Sequence, residues 1–336
     1  MLRFLGKRLF HSIFVIIGIS ILIFVIARVI PGNPARLALG ERASAEAVEA
    51  LSEHMHLNEP LYIQYYYWAS DLLKGSLGTS FSTQRPVVTD IKEYLPATLE
   101  LVIFAGIFQL IFAFLLGLLS AKHKDRLIDS IIRVMAYVGI SVPSFVWAVL
   151  FILFFGHIWT VLPVFHRVSG GMIPPTRITG MYVFDYLLTG NITGALNAFS
   201  HLFLPSMALA IGHIFQEARI LRSSIIDNMS KEFISVTTGF GIPNSKIMYK
   251  YLLKPSAISV VTVAGLDFAS TMGNAFLVET VFNWPGLSRY GMVAMLNNDL
   301  NAISAVVIII GLTYMVLNII VDIAIAALDP RVRLGD

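Results

Sequence analysis

Apolar runs long enough to cross a bilayer limit this chain more than any other feature. From Leu9 to Ile30 the only charged residue is Arg28. As a helix, this run of about 22 residues spans a hydrocarbon core of roughly 30 Å. Comparable runs follow at Ala97–Ala121, Leu127–Trp159, His201–Leu221, Ser256–Phe282 and Ala302–Leu328. Lipid offers backbone groups no hydrogen bonds, so runs of this length are expected to be helices. Composition agrees: 13% of the 336 residues are charged and 56% hydrophobic, against about 25% charged in soluble domains. The fold class expected is all-α, a polytopic membrane protein with six transmembrane helices.

Charge sets the expected orientation. Arg3, Lys7 and Arg8 precede the first run, Lys122 to Arg126 follow the second, and Arg219 and Arg222 end the fourth. Arg331 and Arg333 follow the sixth. Both termini are therefore expected in the cytoplasm. The first run exceeds a signal-peptide core and no small-x-small site follows it, so it reads as an uncleaved helix. Between residues 31 and 94, eight acidic residues outnumber five basic ones, which suits the outside. There Ser44 can cap a helix carrying Val48, Leu51 and Met55 on one face. Pro60 opens another carrying Leu61, Tyr65, Trp68 and Leu72, and Gly75 ends it. The cluster Tyr62, Tyr65, Tyr66, Tyr67 and Trp68 suits an interfacial belt or a partner-docking surface. In the third run Asp129 and Arg133 stand at i, i+4 and can neutralise each other, and Pro143 breaks or kinks the helix. The Gly- and Pro-rich stretch Thr160–Ser200 reads as an outside loop.

A polar island, Met229–Pro255, separates the fourth and fifth runs. It reads as two short helices broken at Gly241-Ile242-Pro243. The first covers Glu232–Gly239, and Asn244 caps the second. In the second, Ile247 pairs with Tyr251 and Met248 with Leu252, while Lys246, Lys250 and Lys254 form a basic stripe. An ordered helix-turn-helix in a cytoplasmic loop suits a docking surface. A connector lying in the headgroups is the alternative.

Several chemistries are excluded. There is no cysteine, hence no disulfide or thiolate site. There is no Gly-x4-Gly-Lys-Ser/Thr, so ATP is not bound in the P-loop manner, and no His-Glu-x-x-His or Gly-x-Ser-x-Gly to support an intramembrane enzyme. Gly239-x-Gly241 follows no strand and is not a dinucleotide fingerprint. The net charge of +3 is small, and its basic residues cluster in inside loops, which argues against nucleic acid. No cofactor is expected in the chain. Asp267 falls at mid-depth of the fifth run, where a charge costs about 2.5–3.5 kcal/mol. It should face a cavity or a partner, as a contact for a cationic substrate or as an interhelix contact. His213 and Glu217, at i, i+4, are expected to pair with each other. Asp267, Asn274 and His213 are the candidate pathway residues. His54-Met55-His56, on a helix end in a surface loop, is read as a chance match to a metal motif.

The residues Glu232 to Ile242, Glu-Phe-Ile-Ser-Val-Thr-Thr-Gly-Phe-Gly-Ile, resemble the coupling loop of membrane subunits of bacterial ABC importers. The peptide-importer form is acidic-aromatic-x-x-x-Ala-x-Ala-x-Gly-Leu. Glu232, Phe233, Gly241 and Ile242 fit it. Thr237 and Gly239 stand for the alanines, and Phe240 for a usual basic residue. The same branch is matched by Ile30-Pro31-Gly32-Asn33-Pro34, Leu57 to Tyr65, Gly78-Thr79-Ser80-Phe81, Arg85-Pro86-Val87 and Leu95 to Glu100. It is matched further by Ala218-Arg219-x-x-Arg222-Ser223-Ser224, Val278 to Leu287, and Val321-Asp322 with Leu328 to Arg333. Asp267 departs from the family's more frequent glutamine. The chain is thus similar, end to end, to permease subunits of dipeptide/oligopeptide-type importers, a branch that includes nickel and metal-chelate importers.

The resemblance implies a type I importer permease fold with three parts. These are residues 1–30, the tail and first transmembrane helix; 31–94, an extracytoplasmic helical segment; and 95–336, a five-helix core with its coupling loop at 229–255. It implies a homologous second permease subunit, two ATPase subunits that bind ATP and Mg, an extracytoplasmic solute-binding protein, and the bilayer. Glu232, Phe233, Thr237, Gly239, Gly241 and Ile242 would couple to the ATPases. Peptide is the expected cargo, since the Pro174–Asn191 insertion resembles peptide members. Nickel or a metal chelate is the alternative, since Lys122 to Arg133 resembles the nickel branch. An ATP-independent carrier is the rival of another class.

Overall fold

The computed structural model describes residues 2–29, 34–40 and 43–328. Met1, Asp336, and the motif residues Ile30 to Asn33 and Asp329 to Arg333 lie outside the described residues. Among the described residues the chain is helical, with one isolated antiparallel bridge, Thr79 to Pro86, and no strand. The helices are α1 (Leu2–Val29), α2 (Pro34–Leu39), α3 (Ala45–His54), α4 (Leu61–Leu73), α5 (Val87–Lys122), α6 (Leu127–Ser141) and α7 (Ser144–Leu153). They continue with α8 (Tyr182–Leu188), α9 (Ile192–Met229), α10 (Glu232–Gly239), α11 (Asn244–Lys246), α12 (Leu253–Val281), α13 (Leu287–Leu296) and α14 (Leu300–Leu328).

Among the described residues four stretches are long and apolar enough to cross a membrane: Val87–Lys122, Ile192–Met229, Asn244–Phe268 and Leu300–Ile323. Of the break and the kink expected at Pro143, the structure has the break. α6 and the segment Ser144–Ile158 meet at 107° and make a fifth span only if taken together. Pro143 lacks the donor to continue α6 and forces Val142 into extended backbone (φ −92°, ψ 121°). The apolar part of α1, Ile13–Arg28, is shorter than these stretches.

The small helices follow their caps. Ser44 accepts the amide of Ala47 at 3.2 Å and starts α3. Pro60 starts α4, and Gly75, at φ +83°, follows its end. Asn244 does not cap the second loop helix. Pro243 occupies that position and Asn244 is the first helical residue. Nor is that helix separate: α11 runs through a π-helical turn, Ile247–Leu252, into α12.

The chain forms two compact units. The first joins the described residues up to Thr98 with Pro285–Met315. Its core is Val87 and Ile91 on α5 against Leu287, Tyr290, Ala302 and Val306. The loop before α5 is pinned by buried carboxylates. Asp299 accepts from the Ser80 hydroxyl at 2.6 Å and the Ser82 amide at 3.0 Å, and caps α14 at Ala302. Asp90 accepts from Thr83, Tyr290 and Arg85. The second unit joins Leu99–Trp284 with Val316 onward. Its centre is α9, packed on α6, α7, α8 and α12. Its long loop is closed by two acids. Glu100 accepts from Arg167 at 2.5 Å and from the Val183 amide at 2.7 Å. Asp185 accepts from the amides of Ile178, Thr179 and Gly180 and from the Thr179 hydroxyl. Burial raises the Asp185 carboxyl's pKa, but these donors outweigh it and leave the group below its ordinary range.

Close helix packing in this unit rests on glycine at one point above others. A Cβ on Gly117 of α5 would stand 2.8 Å from the Ala218 carbonyl oxygen of α9, and backbone cannot swing away. Gly117→Val should therefore cost about 1–3 kcal/mol and lower the melting temperature of the detergent-purified protein. Val at Gly239, where a Cβ meets nothing within 4 Å, should leave it nearly unchanged.

Candidate functional site

Two places in the second unit bring the sequence candidates together. The first surrounds α10. The helix ends in a glycine cap: Gly241 adopts φ +70°, its amide reaches the Thr238 carbonyl at 2.9 Å, and the Ile242 amide reaches the Thr237 carbonyl at 3.3 Å. The Thr237 hydroxyl donates to the carbonyls of Phe233 and Ile234 at 2.9 and 2.8 Å, so it serves the helix itself. Ile234 and Ile242 then fall on one side. They pack against Ala121 of α5, Leu221 and Ile225 of α9, Ile247, Met248 and Leu252 of the π-helical turn, and Val260 of α12. The opposite side is open. Glu232, Phe233, Val236, Gly239, Phe240 and Gly241 are exposed, Phe240 by 80%. The element is therefore fixed to the bundle by one face and presents aromatic and small residues on the other. Lys246, Lys250 and Lys254 are exposed beside it.

Next to this cluster lies a charged node that the sequence did not predict. Asp129 of α6, 0% exposed, accepts two hydrogen bonds from Arg222 of α9, at 2.6 and 2.7 Å. The Ser120 hydroxyl of α5 donates to it at 2.5 Å and the Asp125 amide at 2.9 Å. The expected partner, Arg133, is present but looser at 3.8 Å. Arg222 lies 93 residues from Asp129, beyond the reach of helical spacing. The available signal was an arginine inside the apolar helix α9.

The second place is a cleft of about 490 Å³ between the α6–α7 break, α9 and α12. Ser144, His213, Gln216 and Asn274 supply its polar lining, with Phe145, Leu209 and Leu277 among the apolar residues. His213 and Glu217 do not pair with each other. His213 Nδ1 lies 3.5 Å from Asp267 Oδ2, and Gln216 donates to the same oxygen at 3.0 Å. Glu217, fully buried, takes its hydrogen bond from Gln109 of α5. Residues four apart on a helix are neighbours but pair only if no other helix offers a better partner, and here α12 and α5 do. Asp267 is thus an interhelix contact that also stands behind two lining residues of the cleft. The polar side chains of this lining can hold a polar group, and the Asp267 carboxylate behind His213 and Gln216 favours a cationic one.

Comparison with known proteins adds the following. Residues 113–334 match the family described as the binding-protein-dependent transport system inner membrane component, and residues 1–102 match its N-terminal companion family. A probable D,D-dipeptide transport system permease protein of Escherichia coli (strain K12) is 37% identical over 98% of this chain and 97% of its own length. A dipeptide transport system permease protein of Alkalihalophilus pseudofirmus is 36% identical over 99% of this chain and 100% of its own. A glutathione transport system permease protein of Escherichia coli O6:H1 is 30% identical over 99% of each.

The buried node makes a direct prediction. Arg222→Met leaves Asp129 without its strongest partner and should cost about 3–5 kcal/mol, read as a fall in melting temperature. The double variant Asp129→Leu/Arg222→Met removes the stranded charge and should recover most of that loss. Equal melting temperatures for the single variant and the parent would contradict the assignment.

Proposed function

Because the chain belongs to the family of binding-protein-dependent transport system inner membrane components, we propose that it imports di- or oligopeptides as one of two homologous permease subunits. It is an inner-membrane transport component, not an enzyme, and its family implies a binding protein outside and an energy source elsewhere. In the proposed assembly two ATPase subunits bind ATP and Mg and dock below, and a solute-binding protein delivers cargo. Peptide is favoured over nickel or a metal chelate by the dipeptide and glutathione named for the relatives.

The membrane arrangement we propose has six spans: α1, α5, the α6–α7 pair, α9, α12 and α14. Both termini lie in the cytoplasm, residues 31–94 outside, and 95–336 form the core. The positive loops at Lys122 to Arg126 and Lys231 to Lys254 support this orientation. His213 and Asn274, which line the cleft beside α9 and α12, and Asp267, which contacts His213, belong to the translocation pathway in this reading.

The observation that carries the proposal is α10, seated on the inner helix ends by Ile234 and Ile242 while Phe233, Val236 and Phe240 stay exposed. ATP-driven closure of the ATPases would move this element and bias the cavity outward, a shift between two states. Glu232, in the first turn, suits the helix dipole and a basic residue on the partner.

Two substitutions test it with matched strain. Gly241 and Gly190 have φ of +70° and +74°, and a Cβ on either meets nothing within 4 Å. Leucine at either position carries a similar backbone cost of about 1–2 kcal/mol. Gly241→Leu should lower ATPase co-purification, or uptake per ATP hydrolysed in vesicles, by about tenfold. Gly190→Leu should leave both intact. Normal association and coupling in both variants would remove α10 from this role. Separately, Asp267→Asn should reduce uptake of a peptide with a free amino group while assembly is retained.

A further inference from the structure

Helix α4 has three faces rather than two. Gln64, Tyr65, Trp68 and Leu72 face the protein: Tyr65 and Trp68 pack on Phe24 of α1, at 5.3 and 5.6 Å between rings. Asp71 and Lys74 form an ion pair of 3.6 Å on a second face, where Tyr67 stacks on His56 at 4.1 Å. The third face is Tyr62, Tyr66, Ala69 and Leu73, spaced four, three and four residues apart on one side of the helix. Tyr62 is 74% exposed, Tyr66 69% and Leu73 88%. Among the described residues nothing covers Tyr62, Tyr66 and Leu73.

The depth of α4 identifies what covers it. The Tyr65 hydroxyl is hydrogen-bonded to Ser20 at 2.9 Å. Ser20 stands within the apolar part of α1, Ile13–Arg28, about 12 Å along the axis from Arg28. Around it Ile17, Ile21, Leu22 and Val25 are exposed on α1, as suits a surface in hydrocarbon. With Tyr65 tied at Ser20 and Trp68 beside Phe24 and Arg28, α4 lies along the Ser20–Arg28 part of that apolar segment. Two tyrosines and a leucine at that level have the chemistry of the acyl–headgroup boundary, where an aromatic ring is buried and its hydroxyl is wet. The Asp71–Lys74 face turns away from the stripe and can remain in water.

We propose that α4 is a half-embedded interfacial helix whose Tyr62–Tyr66–Leu73 stripe binds phospholipid in the leaflet nearest Arg28. It braces α1 from the side and does not depend on the nature of the cargo.

The absence of native cysteine makes the test direct. Single variants Tyr66→Cys, Leu73→Cys and Asp71→Cys are spin-labelled in the importer assembled with its partner subunits, in phosphatidylethanolamine–phosphatidylglycerol vesicles. Leu22→Cys on α1 serves as the lipid reference, and Tyr62→Cys replaces Tyr66→Cys if the latter does not assemble. Collision with oxygen and with a water-soluble nickel chelate is measured at each site. The Tyr66 and Leu73 labels should match Leu22, with an oxygen-to-nickel ratio about threefold or more above that of Asp71. Nickel access equal to that of Asp71 would mean that water covers the stripe, and loss of both collisions would mean that protein does. Either result overturns the proposal.

Discussion

A carboxylate with no exposed surface governs how α5, α6 and α9 meet. Asp129 takes donors from Arg222 of α9, Ser120 of α5 and the Asp125 amide of the connecting turn. A buried charge left alone is expensive, so these groups cannot separate one at a time. The apolar cluster beneath α10 uses the adjoining residues, Ala121 next to Ser120 and Leu221 next to Arg222. Polar node and apolar cluster are therefore built on the same helix ends. Ile234 and Ile242 extend the cluster to α10, so force on that helix reaches α5, α9 and α12 together. The glycine cap at Gly241 turns the chain so that Ile242 can join the cluster.

Much of this was legible in the sequence where the physics is local. The run of apolar residues marks α5, α9, α12 and α14, and the bounds of α10 follow from Lys231, Glu232 and the Gly241-Ile242-Pro243 break. The caps of α3 and α4 follow from Ser44 and Pro60. What was not legible depends on tertiary partners. His213 and Glu217 have ideal helical spacing, yet Asp267 and Gln109 take them because they stand on helices packed across α9. Arg133 was near Asp129 in sequence, but Arg222 makes the two shorter hydrogen bonds. Pro143 announces a break without its angle. Pro243 was read as part of a turn, although its fixed φ also suits the start of a helix.

The same division holds for function. The candidate coupling element, α10, is found through the resemblance of Glu232 to Ile242 to a family loop, a signal confined to neighbouring residues. The cleft at α9 and α12 could only be found once Asn274, Gln216 and His213 were seen to share a wall. Its His213, Gln216 and Asn274 come from helices that the cluster beneath α10 also joins, through Leu221 on α9 and Val260 on α12. A displacement at α10 therefore has a mechanical route to the cleft.

The central claim is that α10 moves as one body with the inner end of α9. Spin labels at Val236 of α10 and Arg219 of α9, both exposed, report it in the assembled importer by their mutual distance. The distance should stay within about 2 Å between nucleotide-free and ATP-bound states, with an equally narrow distribution, because the shared cluster is close-packed. A shift of about 5 Å or more on ATP binding, the size of one helical turn, would mean that α10 slides over the bundle and would contradict the account.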